Sequence, residues 1–178
     1  LAMGITYTQW VNDAKILAKI TNTYTLNVSD VAAGTAKTVT ADTHVKTILV
    51  VDSSTSIATN LDALQALGTK VTSITQSGTP TTLSITSAQL TKDAATLNKV
   101  TGAYTLAVTG VTASGTTTVA ANTHVVSLSV SDTSANIATN LNALQALGSK
   151  LAAITQTGTL AALKLSALQV NNDAGALG

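Results

Sequence analysis

A repetitive α/β solenoid is the fold class this 178-residue chain predicts, and three observations predict it. The phrase IATNLDALQALG at 57–68 returns as IATNLNALQALG at 137–148, with Asp62 becoming Asn142 as its one change. Sliding the chain along itself by 80 residues needs no gap, and about half of positions 5–98 match positions 85–178. Within each period, segments with helical spacing alternate with segments of strict two-residue alternation, the pattern of strands joined through helices. The predicted organisation is one continuous solenoid: repeat 1 at 5–84, repeat 2 at 85–164, and the start of a third repeat at 165–178.

Each period reads as two helices and four strands. In DSSTSIATNLDALQALGTK, Ile57, Leu61, Leu64 and Leu67 form one stripe, with Asp52, Ser53 or Ser54 as the cap and Gly68 as the left-handed stop. In SAQLTKDAATLNKVTG the stripe is Leu90, Ala94, Leu97 and Val100, with Ser87 near the start and Gly102 past the end. Trp10, Ala14, Leu17 and Ile20 hold those places in the first copy. The strand AYTLAVTGV sets Tyr104, Leu106 and Val108 against Thr105, Ala107 and Thr109. HVVSLSVSD sets Val126, Leu128 and Val130 against Ser127, Ser129 and Ser131. Two shorter strands, Val71 to Gln76 and Leu83 to Ile85, meet at a corner containing Gly78 and Pro80, and a Thr-rich loop completes the period. Strands joined through a helix are expected to run parallel, with neighbouring units covering one another's apolar faces. Residues 5–18 and 165–178 are the same part of the period, so the reading expects an excerpt from a longer array.

Composition removes several function classes. There is no Cys, Phe, Arg or Glu, and Thr supplies about a fifth of the chain. Nine Lys against eight Asp leave a formal charge of +1, without the basic, aromatic-studded face a nucleic-acid reader needs. No apolar run approaches the roughly 18–20 residues of a membrane span. The lack of Cys excludes thiol chemistry and structural zinc.

The phrases SVSDTSANIATNLNALQALGSKLAAITQTGT and, ahead of it, GAYTLAVTGVTA resemble the repeats of giant bacterial surface or secreted proteins of the beta-strand-repeat, adhesin-like class, often associated with RTX regions. The resemblance covers nearly the whole chain and implies an extracellular or cell-surface location and a structural or adhesive role. It rests on a repeat phrase and on no catalytic motif. The calcium-binding nonapeptide GGxGxD of RTX regions is absent here, so calcium dependence does not carry over, and no cofactor is expected.

The residues that could carry chemistry fall into repeating positions. His44 and His124 stand at equivalent places; Asp42 lies beside the first, Asn122 beside the second, and a structural hydrogen bond is the expected role. Asp13, Asp93 and Asp173 recur at one helical position, Asp52 and Asp132 at a strand end; capping and dipole complementarity account for them better than a calcium site of converging oxygens. Asn60 and Asn140, Gln65 and Gln145, and Gln76 and Gln156 are expected to form polar ladders that satisfy backbone groups between adjacent coils. Trp10 is expected as a core or end-covering side chain. No phosphate loop or nucleophile elbow is present, and no enzyme activity is expected. The expected partners are neighbouring repeats or an end-to-end second copy. The alternative is a Thr/Ser face, with Thr105, Thr109, Ser127 and Ser129, that binds ice or polysaccharide.

Overall fold

The computed structural model describes residues 1–177; Gly178, the last residue of the third predicted repeat, lies outside the described residues. The described residues form a mixed α/β structure with two parallel sheets and twelve short α-helices. In chain order come β1 (Ala2–Thr6), α1 (Tyr7–Asn12), α2 (Ala14–Leu17), β2 (Thr25–Val31), α3 (Ala36–Thr40), β3 (Val45–Asp52), α4 (Ser54–Thr59), α5 (Leu61–Ala66) and β4 (Val71–Gln76). Then follow β5 (Leu83–Thr86), α6 (Ser87–Lys92), α7 (Ala94–Leu97), β6 (Val100–Thr101), β7 (Leu106–Val111), α8 (Thr116–Ala120), β8 (Val125–Asp132), α9 (Ser134–Thr139), α10 (Leu141–Gln145), β9 (Leu151–Gln156), α11 (Ala167–Asn172) and α12 (Ala174–Leu177).

The chain divides into two compact units, residues 1–83 with 91–104, and residues 84–90 with those from Thr105 onward. The sheet of the first unit has the order β1-β2-β3-β4-β6, and the other sheet the order β5-β7-β8-β9. Parallel pairing follows from connections that pass through helices or turns instead of hairpins. In the first unit Leu26, Val28, Ile48, Val50 and Ile74 from the strands meet Val39, Ile57, Leu61 and Leu64 from the helices, all with no exposed surface. Pairing in the other sheet repeats the register: Leu26 opposite Val45 and Ile48 opposite Val71 correspond to Leu106 opposite Val125 and Leu128 opposite Leu151.

Both long helices of the sequence reading are broken in two. Between α4 and α5, Asn60 sits at φ −100°, ψ 11°, and its side-chain amide donates to the Ser56 carbonyl at 2.8 Å. A short polar side chain bound to its own preceding turn competes with the helical ladder there. Asp93 sits at φ −103°, ψ 18° between α6 and α7. The apolar stripe survives the break because Ile57, Leu61 and Leu64 remain buried. Of the three cap candidates for α4, Ser53 is the one used: its hydroxyl accepts from the Ser56 N–H at 3.2 Å. Gly68 takes the left-handed conformation at φ +57°, as expected of a helix stop. The cap ahead of α6 is Thr86 and not Ser87: Thr86 and Gln89 exchange side-chain and backbone hydrogen bonds at 3.0 and 3.1 Å. Ser87 instead donates to the Gly110 carbonyl at 2.8 Å.

Two further expectations are corrected. The Thr-rich loop contains a turn of 3-10 helix at Ala33–Thr35 followed by α3, because Ala36, Val39 and Thr40 recur at helical spacing and are buried. In β8 the inward residue is Val125, not Val126: Ala107 pairs with Ser127 directly after Leu106 pairs with Val125, so Val126 is an extra, bulged residue. Val126 is accordingly 46% exposed and Val125 1%. Lys46 is the bulged residue in β3, where Leu26 pairs with Val45 and Asn27 with Thr47.

Asp30, at φ +60°, is the one non-glycine residue with positive φ among the described residues, and Gly110 occupies the matching position at φ +68°. A side chain in the left-handed region is disfavoured, while glycine loses more chain entropy on folding. The balance favours glycine, so Asp30→Gly raises unfolding free energy by about 0.5 kcal/mol, measurable as a higher urea midpoint with unchanged slope.

Candidate functional site

The first unit concentrates most of the chain's aromatic groups around one half-open pocket of about 390 Å³, lined by Trp10, Val11, Ala14, Leu17, Ala18, Tyr24, Asp42 and His44. Trp10 comes from α1, held by the capping box between Thr6 and Gln9. Tyr24 precedes β2, and Asp42 and His44 lie in the turn between α3 and β3. The Trp10 indole N–H donates to Asp42 Oδ2 at 3.0 Å. Asp42 Oδ1 accepts from the His44 backbone N–H at 2.9 Å and lies 3.1 Å from His44 Nδ1. The His44 ring stacks on Tyr24 with centroids 4.3 Å apart, and the Tyr24 hydroxyl donates to the Leu17 carbonyl at 3.3 Å. Trp10 also stacks with Tyr7 at 6.0 Å.

Burial pushes the Asp42 carboxyl up, but the hydrogen bonds from Trp10 and from the His44 backbone and ring outweigh it and hold the group below its usual range. The carboxylate therefore stays ionised and works as a clasp, orienting an indole and an imidazole over an apolar floor. A His–Asp contact of this kind can orient a general base. The lining, however, contributes no serine, threonine or cysteine, and the Tyr24 phenol is committed to Leu17. The pocket can hold a ring or an aliphatic group; its lining has no alcohol or thiol nucleophile of the usual kind.

His44 thus has the structural hydrogen bond expected of it, and of the two places expected for Trp10 the core is not the one it takes: it is half-buried in the wall of a pocket. The signal for this cluster was present in the sequence. Trp10 and Asp42 change together between copies, to Leu90 and Asn122, as a donor and its acceptor do when neither is useful alone.

The four residues of the predicted Thr/Ser face lie in or beside the other sheet. Thr105 is half-buried just before β7, Thr109 is exposed on β7, and Ser127 and Ser129 are half-buried on β8. Ser127 pairs with Ala107 and Ser129 with Ala153, so alanines separate these hydroxyls across the strands. The Thr109 hydroxyl donates to the Ile85 carbonyl at 3.4 Å. In the first unit the outward polar groups tie strands together: Thr47 to Asn27 at 2.7 Å and Thr75 to Thr101 at 2.9 Å.

The repeated amides behave in three ways. Gln65 Oε1 accepts from the Thr96 backbone and hydroxyl at 3.0 and 2.6 Å, and Gln145 Oε1 accepts from the Ala176 N–H at 2.7 Å. These are the expected links to the backbone of a later segment. Asn60 and Asn140 instead bond within their own helices, to the carbonyls of Ser56 and Asn136. Gln76 donates to the Thr81 carbonyl at 3.3 Å, and Gln156 accepts from the Ser134 hydroxyl at 2.8 Å.

Asp13, Asp52, Asp93 and Asp132 are not helix caps by side-chain hydrogen bond. Asp52 Oδ2 accepts from the Ala33 N–H, and Asp132 Oδ2 from the Ala113 N–H, each at 2.9 Å, tying the end of one strand to the turn after the preceding strand. Asp13 and Asp93 precede α2 and α7 without capping them. Among the described residues no group of three or more His, Asp, Cys or Glu side chains could hold a metal ion, and no helix is long and apolar enough to cross a membrane. No protein-family model, curated protein or solved structure matches this chain.

Proposed function

We propose that this chain is a structural or adhesive repeat module of a large bacterial extracellular or cell-surface protein, built as a solenoid whose 80-residue repeats stack through their sheet edges. One observation carries the reading. In the first unit the outer edge of β4 receives β6, with Ile74 opposite Val100 and Thr75 opposite Thr101. The matching positions of β9, Ile154 and Thr155, pair with β8 alone among the described residues, because β9 is the terminal strand of its sheet. Ile74 is fully buried, whereas Ile154 remains half-buried. The β4–β6 pairing, in which the segment that follows one repeat adds a parallel strand to that repeat's sheet, is the kind of contact stacked repeats would use.

Arrays of two, four and six repeats test this. Particle length in electron micrographs is expected to grow linearly with repeat number, and the denaturation midpoint to rise as more interfaces form. Bead-like particles with a midpoint independent of repeat number contradict it.

A second reading, polysaccharide binding, is favoured by the pocket walled by Trp10 and Tyr24, since aromatic faces suit the apolar face of a sugar ring. A glycan array separates the two: binding lost in Trp10→Ala supports the second reading, and its absence leaves the first.

A further inference from the structure

Asp93 is fully buried, and neither of its carboxyl oxygens receives a hydrogen bond from a donor group. It belongs to the α6–α7 break, where α7 packs against α5, the helix that carries Asp62. The acid acting on it from the packed helix α5 is Asp62, so two carboxyls are brought together across the α5–α7 contact. The Lys92 ammonium, 2.9 Å from Asp62 Oδ1, is the opposing charge that acts on Asp93. Gln65, also on α5, is directed to Thr96 and offers Asp93 no donor.

The three groups have different environments. Asp62 is half exposed and paired with Lys92. Asp93 has no donor and no water-exposed oxygen, and a buried carboxylate left in that state is expensive. A cation bridging the two acids would need several more oxygens around it, and Lys92 already occupies one side of Asp62. A proton needs no such shell.

We propose that Asp62 and Asp93 form a proton-sharing carboxyl pair, in which protonated Asp93 donates a hydrogen bond to ionised Asp62, making the α5–α7 contact a pH-sensitive joint. When the pH rises far enough, the proton leaves to solvent, two negative charges confront each other beneath the surface, and the contact between α5 and α7 loosens. The sequence contains its own comparison, because the single change in the twelve-residue phrase falls at this position: Asn142 replaces Asp62, while Asp173 preserves Asp93. The pair is therefore confined to one copy, and the inference holds whatever the biological role of the module.

Burial, followed by the charge of Asp62, raises the Asp93 carboxyl above its ordinary value near 3.8, against the opposing pull of Lys92. A raised folded-state value gives stability that is complete below the unfolded value and is lost as pH rises through the folded one. The test compares the 178-residue chain with Asp93→Asn and Asp62→Asn, by urea denaturation from pH 3 upward (roughly the carboxyl range) and by carboxyl-carbon NMR titration. Across the window above the ordinary carboxyl value, the folded-to-unfolded ratio of the wild type is expected to fall relative to Asp93→Asn by up to about tenfold per pH unit. In the spectra, Asp93 titrates above the other aspartates, and Asp62→Asn brings that titration down. Parallel stability curves, or an Asp93 resonance already ionised with the exposed aspartates, overturn the proposal. The NMR measurement on the wild type decides the matter even if a variant fails to fold.

Discussion

Leu61→Ala is expected to lower the unfolding free energy by about 3 kcal/mol, within the roughly 2–5 kcal/mol range for buried leucine truncation. Leu61 has no exposed surface, and it lies on the stripe with Ile57 and Leu64 that faces the strand core of the first unit. Removing its isobutyl group takes away both the transfer of that group from water and the contacts that surround it. The helices beside it are only six residues long, too short to hold their shape by backbone bonding alone, so packing supplies most of their stability. Urea denaturation checks the value: the midpoint should fall with the slope unchanged. A loss below about 1 kcal/mol would mean that the site collapses freely, contrary to a close-packed core.

Asp132→Ala is expected to cost about 2–4 kcal/mol, because a charge-assisted network is lost and a buried donor is stranded. Asp132 Oδ1 accepts from the Thr133 N–H at 2.8 Å and from the Asn136 side chain at 2.7 Å, while Oδ2 accepts from the Ala113 N–H at 2.9 Å. Alanine cannot replace the last of these, and Ala113 is 1% exposed, so its N–H has no ready access to water. Asp132→Asn is the milder change, since it keeps one acceptor oxygen and so about half of the network. The hydrogen bond from Asn136, then those from Ala113 and Thr133, hold the carboxyl below its usual range against the effect of burial. The sign is opposite to that for Asp93. A depressed folded value gives stability that is present above the unfolded value of about 3.8 and is lost as pH falls through the folded one. Acid titration of the wild type should therefore show a loss that Asp132→Ala lacks, read from the difference between their urea midpoints below about pH 4.

Much of the α/β pattern was legible because apolar spacing is a local property. The period-two run Tyr104, Leu106, Val108 and the stripe Ile57, Leu61, Leu64 mark a strand and a helical segment without knowledge of their neighbours. The breaks were not legible, because Asn60 and Asp93 end a helical turn through the conformation of one residue while the spacing of apolar side chains continues across them. The bulge was half legible. Lys46 in the first copy contradicts an inward-facing position, whereas Val126 in the second conceals it, so the copies are more informative read together than apart. The site residues show the same division. The Trp10–Asp42 clasp has a sequence trace in the paired change to Leu90 and Asn122, and the acid pair has one in the lone change at Asp62. Neither trace specifies contact, since the partners are separated by 32 and by 31 residues and meet only once the intervening strands are laid side by side.

The glutamine links have a dynamic meaning. Thr96 is held in part by Gln65, and Ala176 by Gln145, each from 31 residues upstream. Fluctuation of the helix bearing the glutamine removes one of the two acceptors of an amide hydrogen on a different stretch of backbone, leaving the local carbonyl of Asp93 or Asp173, so faster deuterium uptake at Thr96 or Ala176 is expected when the upstream helix opens. Within each unit, loosening of one helix is thereby felt at a backbone position 31 residues further on.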